Sequence, residues 1–203
     1  MCKSSVLTEL WISIEDLEPS SKAWVDAVLA DFDAFLIDHA NCERKASSML
    51  MSFVAKYPDR TEIIPELIET AIEELEHFQK VYDLLEKRGL RLPHKIEKDV
   101  YMQALHGLCR HGRDERFLDR LIVSGVVEVR GVERFKTLSE HLSDEVMKTY
   151  YDKLWRAEST HGTLFIEMAR KYFKDEDVRE RLHWWIERER EVLLNTPFHP
   201  KLH

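Results

Sequence analysis

The stretch AIEELEHFQKVYDLLEKRG, residues 71–89, sets a glutamate three positions before a histidine, Glu74 and His77, inside a helical pattern of apolar residues. Leu67, Ala71, Phe78, Val81 and Leu85 recur at helical spacing, Pro65 suits a first turn, and Lys87 and Arg88 precede Gly89, as at a helix C-terminus. Residues three apart share a helix face, so Glu74 and His77 could bind one metal ion without distorting the backbone. Their stripe points inward, where a carboxylate is costly unless it is paired or holds a cation. Glu76 does not share that face. Glu73 reads as at most an outer carboxylate that takes the second ring N–H of the histidine.

Working outward, Pro19, Ser20 and Ser21 offer a cap for a preceding long helix, with apolar positions running from Trp24 through Val28, Phe32, Leu36, Ala40 and Leu50 to a stop at Tyr57 and Pro58. The connection to the next helix is short, so the two should form an antiparallel hairpin. A loop at 89–93 and a shorter amphipathic helix from 96 to about 111 follow. A second pair of long helices is expected, one over roughly 114–142 and one capped by Ser143 and reaching about residue 172. A last helix carries Trp184, Trp185 and Ile186. The pattern contains no convincing strand. It predicts an all-α, ferritin-like four-helix bundle, two antiparallel helical hairpins joined by a long crossover plus additional short helices, as a single domain over 1–203.

Glu-x-x-His occurs at Glu74/His77, Glu158/His161 and Glu180/His183, and abundant Glu and His give about one such spacing by chance. Placement separates them. Glu158 shares the stripe of Tyr151, Leu154, Trp155 and Phe165, whereas Glu180 sits on a highly charged helix that should face water. A two-metal bundle also needs a glutamate from each remaining helix. Glu43 lies among Leu36, Ala40, Ala46, Ser47 and Leu50, and Glu128 among Leu121, Gly125, Val132, Phe135 and Leu142. Each precedes its Glu-x-x-His by about thirty residues, as an internal two-hairpin duplication would give. Glu133 competes with Glu128, because VERF echoes the CERK around Glu43. It lies on a different face, with Arg130, Lys136 and Glu140. The candidate metal ligands are therefore Glu43, Glu74, His77, Glu128, Glu158 and His161, an oxygen-rich set suited to iron or manganese. His39, one turn before Glu43, reads as a packed core histidine. Tyr101, Tyr151 and Trp155 read as core aromatics that could lie near the site.

Composition narrows the class. Of 203 residues, 44% are hydrophobic and 33% charged, with six glycines and six prolines, which suits a helix-rich soluble chain with few turns. Three cysteines without close spacing argue against a disulfide framework and a thiolate zinc site. Apolar runs are too short to span a bilayer and no signal-peptide pattern opens the chain, so a cytoplasmic location without membrane association is expected. The net charge of −8 counts against a generic nucleic-acid binder.

The segments LIDHANCERKASSMLMSFVAKYPD (36–59), EELEHF (73–78) with RGL after it, VEVRGVERF (127–135), AESTHGTLF (157–165) and HPKLH (199–203) together resemble the tRNA 2-methylthio-isopentenyl-adenosine hydroxylases across nearly the whole chain. The resemblance implies a non-haem di-iron monooxygenase. It would hydroxylate the isopentenyl group of a hypermodified adenosine beside the tRNA anticodon, using O2 and two electrons from a reductase system. Two iron ions would then be bridged by Glu74 and Glu158, with Glu43 and Glu128 terminal and one histidine each. An allylic C–H bond is inert to acid–base chemistry, which fits an oxidising metal centre.

Lys87, Arg88, Arg91, Lys95 and Lys98, then Arg110, Arg113, Arg116 and Arg120, could form a local positive patch for tRNA phosphates, or equally a set of solvated helix ends. Arg113, Arg116 and Arg120 are the candidate substrate contacts. The alternatives are a quinone-type di-iron hydroxylase, an iron-storage or peroxide-scavenging ferritin-like protein, and a metal-free helical module. A monomer is expected.

Overall fold

The computed structural model describes residues 11–95 and 99–203. Among these the chain is helical with no strand, and it divides into two compact units.

The first unit comprises Ser20–Gln103 and Thr196–His203. Here α1 (Lys22–Ala30) and α2 (Phe32–Lys56) replace the single helix expected from the apolar pattern. Asp31 causes the break. Its backbone leaves the helical region (φ −144°, ψ 68°), its N–H closes α1 on the Val28 carbonyl, and its carboxylate accepts from the Ala34 N–H that opens α2. Buried apolar residues stand on both sides of Asp31, Val28 before it and Phe35 and Leu36 after it, which is why periodicity alone hides the break.

The next helix, α3 (Ile64–Lys87), starts with Pro65 in its first turn and stops at Gly89, whose φ of 72° is the left-handed conformation that glycine adopts without strain. The Ser47 hydroxyl donates to the Ala71 carbonyl at 2.8 Å, and Arg88 holds Asp33 at the far end, so α2 and α3 run antiparallel. The crossover holds a shorter helix than expected, α4 (Val100–Gly107), opened by Asp99 accepting from the Met102 N–H. Residues 96–98, where that helix was expected to begin, lie outside the described residues, as does Lys98 of the basic group. Residues 199–203 bind back onto this unit. Trp24 Nε1 donates to the Lys201 carbonyl, the Leu202 N–H donates to Asp38, and His203 stacks on Tyr101.

The second unit comprises Ala104–Asn195 with residues 11–19. Its spine is α5 (Arg113–His141), packed against α6 (Glu145–Glu158), α7 (His161–Arg170) and α8 (Asp175–Asn195). Asp144, not the expected Ser143, caps α6 by accepting from the N–H groups of Val146 and Met147. The helix expected to run unbroken to residue 172 is interrupted at Ser159 and Thr160, where φ of Thr160 drifts to −106°. No proline marks this turn. Packing accounts for it: Gly162 meets Gly125 of α5 so closely that a Cβ on Gly162 would lie 2.3 Å from Val129 Cγ2 and 2.9 Å from the Gly125 carbonyl. The turn re-aims the chain into that approach.

Two buried ionic clusters fasten α8 to α5. Asp119, with no exposed surface, accepts from Nε and Nη2 of both Arg110 and Arg181 and from the Arg110 backbone N–H. Arg130, equally buried, is bidentate on Glu189 (2.8 and 3.1 Å) and reaches Glu133 at 2.9 Å. Near the start of α8, Trp11 lies between the guanidinium groups of Arg170 and Arg179, each 4.5 Å from its ring centre.

Burial pushes the Asp119 carboxyl up, but the hydrogen bonds from Arg181 and Arg110 together outweigh it and hold the group below the usual carboxylate range. A depressed folded-state pKa contributes stability that is complete above the unfolded value, about 3.9, and is lost as pH falls through the folded one. Asp119→Asn should cost roughly 2 kcal/mol at pH 7, since the buried acceptor shared by both guanidinium groups loses its charge. That deficit should hold from pH 8 to pH 5 and shrink below about pH 4, as denaturant unfolding at pH 7 and pH 3 will show.

Candidate metal centre

Three side chains of the first hairpin converge. Glu43 on α2 and Glu74 and His77 on α3 are all buried, and each offers a ligand atom within 4.8 Å of the others. The helix α3 is unbroken here, so the three-residue spacing aims Glu74 and His77 the same way, with His77 Nδ1 3.8 Å from Glu74 Oε2. Glu43 reaches the pair from the antiparallel neighbour. Small residues, Ala40, Ser47 and Ala71, lie within about a turn of the carboxylates and let the two backbones approach. Glu73 and Glu76 lie on the exposed side of α3.

His39 has no exposed surface, and its Nε2 lies 2.6 Å from Glu43 Oε1. The sequence reading of a packed core histidine holds for its position but misses this bond. The available signal was the four-residue His–Glu spacing, which places both side chains on one helix face.

In the second unit, Glu158 closes α6 and His161 opens α7, with His161 Nδ1 2.5 Å from Glu158 Oε2. Their Glu-x-x-His therefore straddles the turn, unlike the first. Glu128 is half-buried on α5. Its competitor Glu133 is committed elsewhere: Oε2 accepts from Arg130 and Oε1 from the Thr137 hydroxyl. That leaves Glu128 as the candidate on this helix. Glu180 is exposed, and His183, 79% exposed in its side chain, lies 3.6 Å from Glu187 instead.

The core aromatics have packing partners of their own. Tyr151 packs on Phe135 and Tyr150, and Trp155 Nε1 donates to Asp152. Of the basic group, Arg88 pairs with Asp33 and Arg110 is folded onto Asp119, whereas Arg113 and Arg116 are exposed and Arg120 half-buried along α5.

The residues of the first hairpin fit a metal. Two carboxylates and an imidazole, buried and this close, would repel or desolvate one another without a cation, and their oxygen and nitrogen donors match iron or manganese.

An all-α chain with buried carboxylate and histidine clusters on its hairpins belongs to the ferritin-like carboxylate proteins. The fold is shared with a solved structure, Protein 43 with aldehyde deformylating oxygenase activity from Synechococcus, at a TM-score of 0.85 and 31% identity, over 91% of this chain and 93% of that one. The model of the tRNA-(MS2IO6A)-hydroxylase (MiaE) family matches residues 13–203, and this chain is a member of that family. The tRNA 2-(methylsulfanyl)-N(6)-isopentenyladenosine(37) hydroxylase of Pseudomonas putida is 35% identical over 160 residues, 79% of this chain and 77% of that protein. The hydroxylase of the same name from Salmonella typhimurium is 28% identical over 134 residues, 66% of this chain and 48% of that protein. Among the described residues no helix is long and apolar enough to cross a membrane.

Removing a ligand removes the reason to bind metal without emptying the core. Glu74→Ala and His161→Ala should each abolish stable iron loading while leaving helix content unchanged, read by metal analysis and circular dichroism. Wild-type iron content in either variant would sink the ligand assignment.

Proposed function

We propose that this chain is a di-iron hydroxylase of tRNA, adding oxygen to the isopentenyl group of 2-methylthio-N6-isopentenyladenosine beside the anticodon. The observation that carries the reading is the buried Glu43, Glu74 and His77 cluster in a member of the tRNA-(MS2IO6A)-hydroxylase family. Glu43, Glu74 and His77 from one hairpin and Glu128, Glu158 and His161 from the other would hold two irons. When bound, the irons supply the oxidising power that an allylic C–H bond requires. Overall, one oxygen atom of O2 enters the product and the other leaves as water, with two electrons from a reductase and two protons.

The protein's own part is to hold, exclude and orient. The α3 backbone fixes Glu74 relative to His77, and Glu43 crosses from α2 to meet them. Leu36, Ala40 and Leu50 on α2, with Leu67, Ala71 and Val81 on α3, are buried along the same stripes and keep bulk water from the ligands. On α5, Arg113, Arg116 and Arg120 fall on one face, and Arg120, Ser124 and Glu128 follow at four-residue steps along the helix, with Arg120 and Glu128 half-buried and Ser124 buried between them. The rise of the helix puts Arg120 about 12 Å from Glu128 along its axis, comparable with the reach from a phosphate to the tip of a prenylated base. The arginines would therefore take backbone phosphates while the prenyl group extends toward the carboxylates.

Incubation of iron-loaded protein with prenylated tRNA, reductant and O2, followed by mass analysis of the nucleosides, should show one added oxygen on the prenylated adenosine. Unmodified tRNA together with iron uptake far above two per chain would instead mark a storage protein. Replacing Arg113, Arg116 and Arg120 together by Ala should raise the KM for tRNA and lower the slope of log affinity against log salt by roughly two. An unchanged slope would move the RNA surface elsewhere.

A further inference from the structure

We propose that His39 is a positioning residue for the metal centre, holding the Glu43 carboxylate by one ring N–H so that Glu43 presents its second oxygen to the metal. The inference rests on the metal occupancy proposed above and adds a residue to it. Three observations on the first unit carry it.

His39 and Glu43 lie one turn apart on α2 and meet at 2.6 Å, a short, charge-assisted distance for a nitrogen donor on a carboxylate. Both are buried, His39 completely, so water does not compete for the carboxylate oxygen on that side. The imidazole is also immobilised. Its ring lies 6.1 Å from that of Phe35, which stacks on Phe32 at 5.9 Å and meets Trp24 edge-on at 6.3 Å. A carboxylate oxygen only accepts, so Nε2 must be the donor, and this fixes the ring's tautomer through the bond itself.

A carboxylate on an α-helix can rotate about three side-chain bonds, and both its oxygens are equivalent until something distinguishes them. The bond to Oε1 distinguishes them. Such outer contacts to metal ligands commonly govern metal affinity by one to two orders of magnitude. This role differs from packing, because packing needs only the ring's volume. It also differs from direct ligation, because Nε2 is already engaged with Oε1.

The test is metal affinity, measured on the full chain with Co(II), and anaerobically with Fe(II), by competition against a chelator, with apo-protein unfolding followed in parallel. His39→Phe keeps the ring volume and removes the donor, and it should weaken binding about 10- to 100-fold. His39→Gln places an amide N–H near the position of Nε2 and should restore affinity to within a few-fold of wild type. His39→Asn, whose amide stops short, should not. Wild-type affinity in His39→Phe, or equal affinities for Gln and Asn, would overturn the proposal, as would a loss of apo stability with metal affinity intact. Wild-type protein that binds no metal, or Glu43→Ala that binds it normally, would instead overturn the underlying metal assignment.

Discussion

A buried carboxylate must find compensation, and the sequence places several of them inside apolar helix faces. For Asp119, Glu133 and Glu189 of the second unit the answer is arginine: Asp119 sits between two guanidinium groups, and Arg130 joins Glu189 to Glu133. These pairs are closed, with donors and acceptors matched inside the protein. In the first unit Glu43 accepts from the His39 imidazole and lies in one cluster with Glu74 and His77. The same physical requirement thus yields structural anchors in one place and a metal-fitting cluster in the other. Whether the local partner is a guanidinium or a histidine separates the two outcomes.

That distinction was partly legible in the sequence. Glu43 and Glu74 were legible because each interrupts an inward stripe and because the first pair of helices is joined by a short connection, which fixes antiparallel packing. Glu133 was set apart by face, and its bonds to Arg130 and Thr137 are the three- and four-residue contacts that such a face allows; that Arg130 is itself held by Glu189 of α8 is invisible to local pattern. The buried role of Glu189 was hidden in the same way, since a helix rich in Glu and Arg reads as solvated whichever residues turn inward.

The helix boundaries show a similar division. The ends of α3 were marked by Pro65 and Gly89, residues whose own backbone preferences dictate structure. The breaks at Asp31 and at Ser159 and Thr160 were missed for different reasons. Asp31 is a capping residue that also occurs inside helices, and only its dihedral angles reveal which role it takes. At Ser159 and Thr160 the cause is the contact of Gly162 with Gly125, which are 37 positions apart and share no local signal.

The turn at Ser159 and Thr160 breaks a symmetry that the sequence repeat suggests. The Glu74 and His77 pair has a fixed bite, its two side chains tied by continuous helical peptides, so its geometry is inherited from the backbone. The Glu158 and His161 pair has arms on separate rigid rods, and its bite is set by how closely α7 is drawn onto α5. Two copies of one motif are thereby held in different ways, and a methyl group added at Gly162 would press on Val129 and the Gly125 carbonyl next to the second pair.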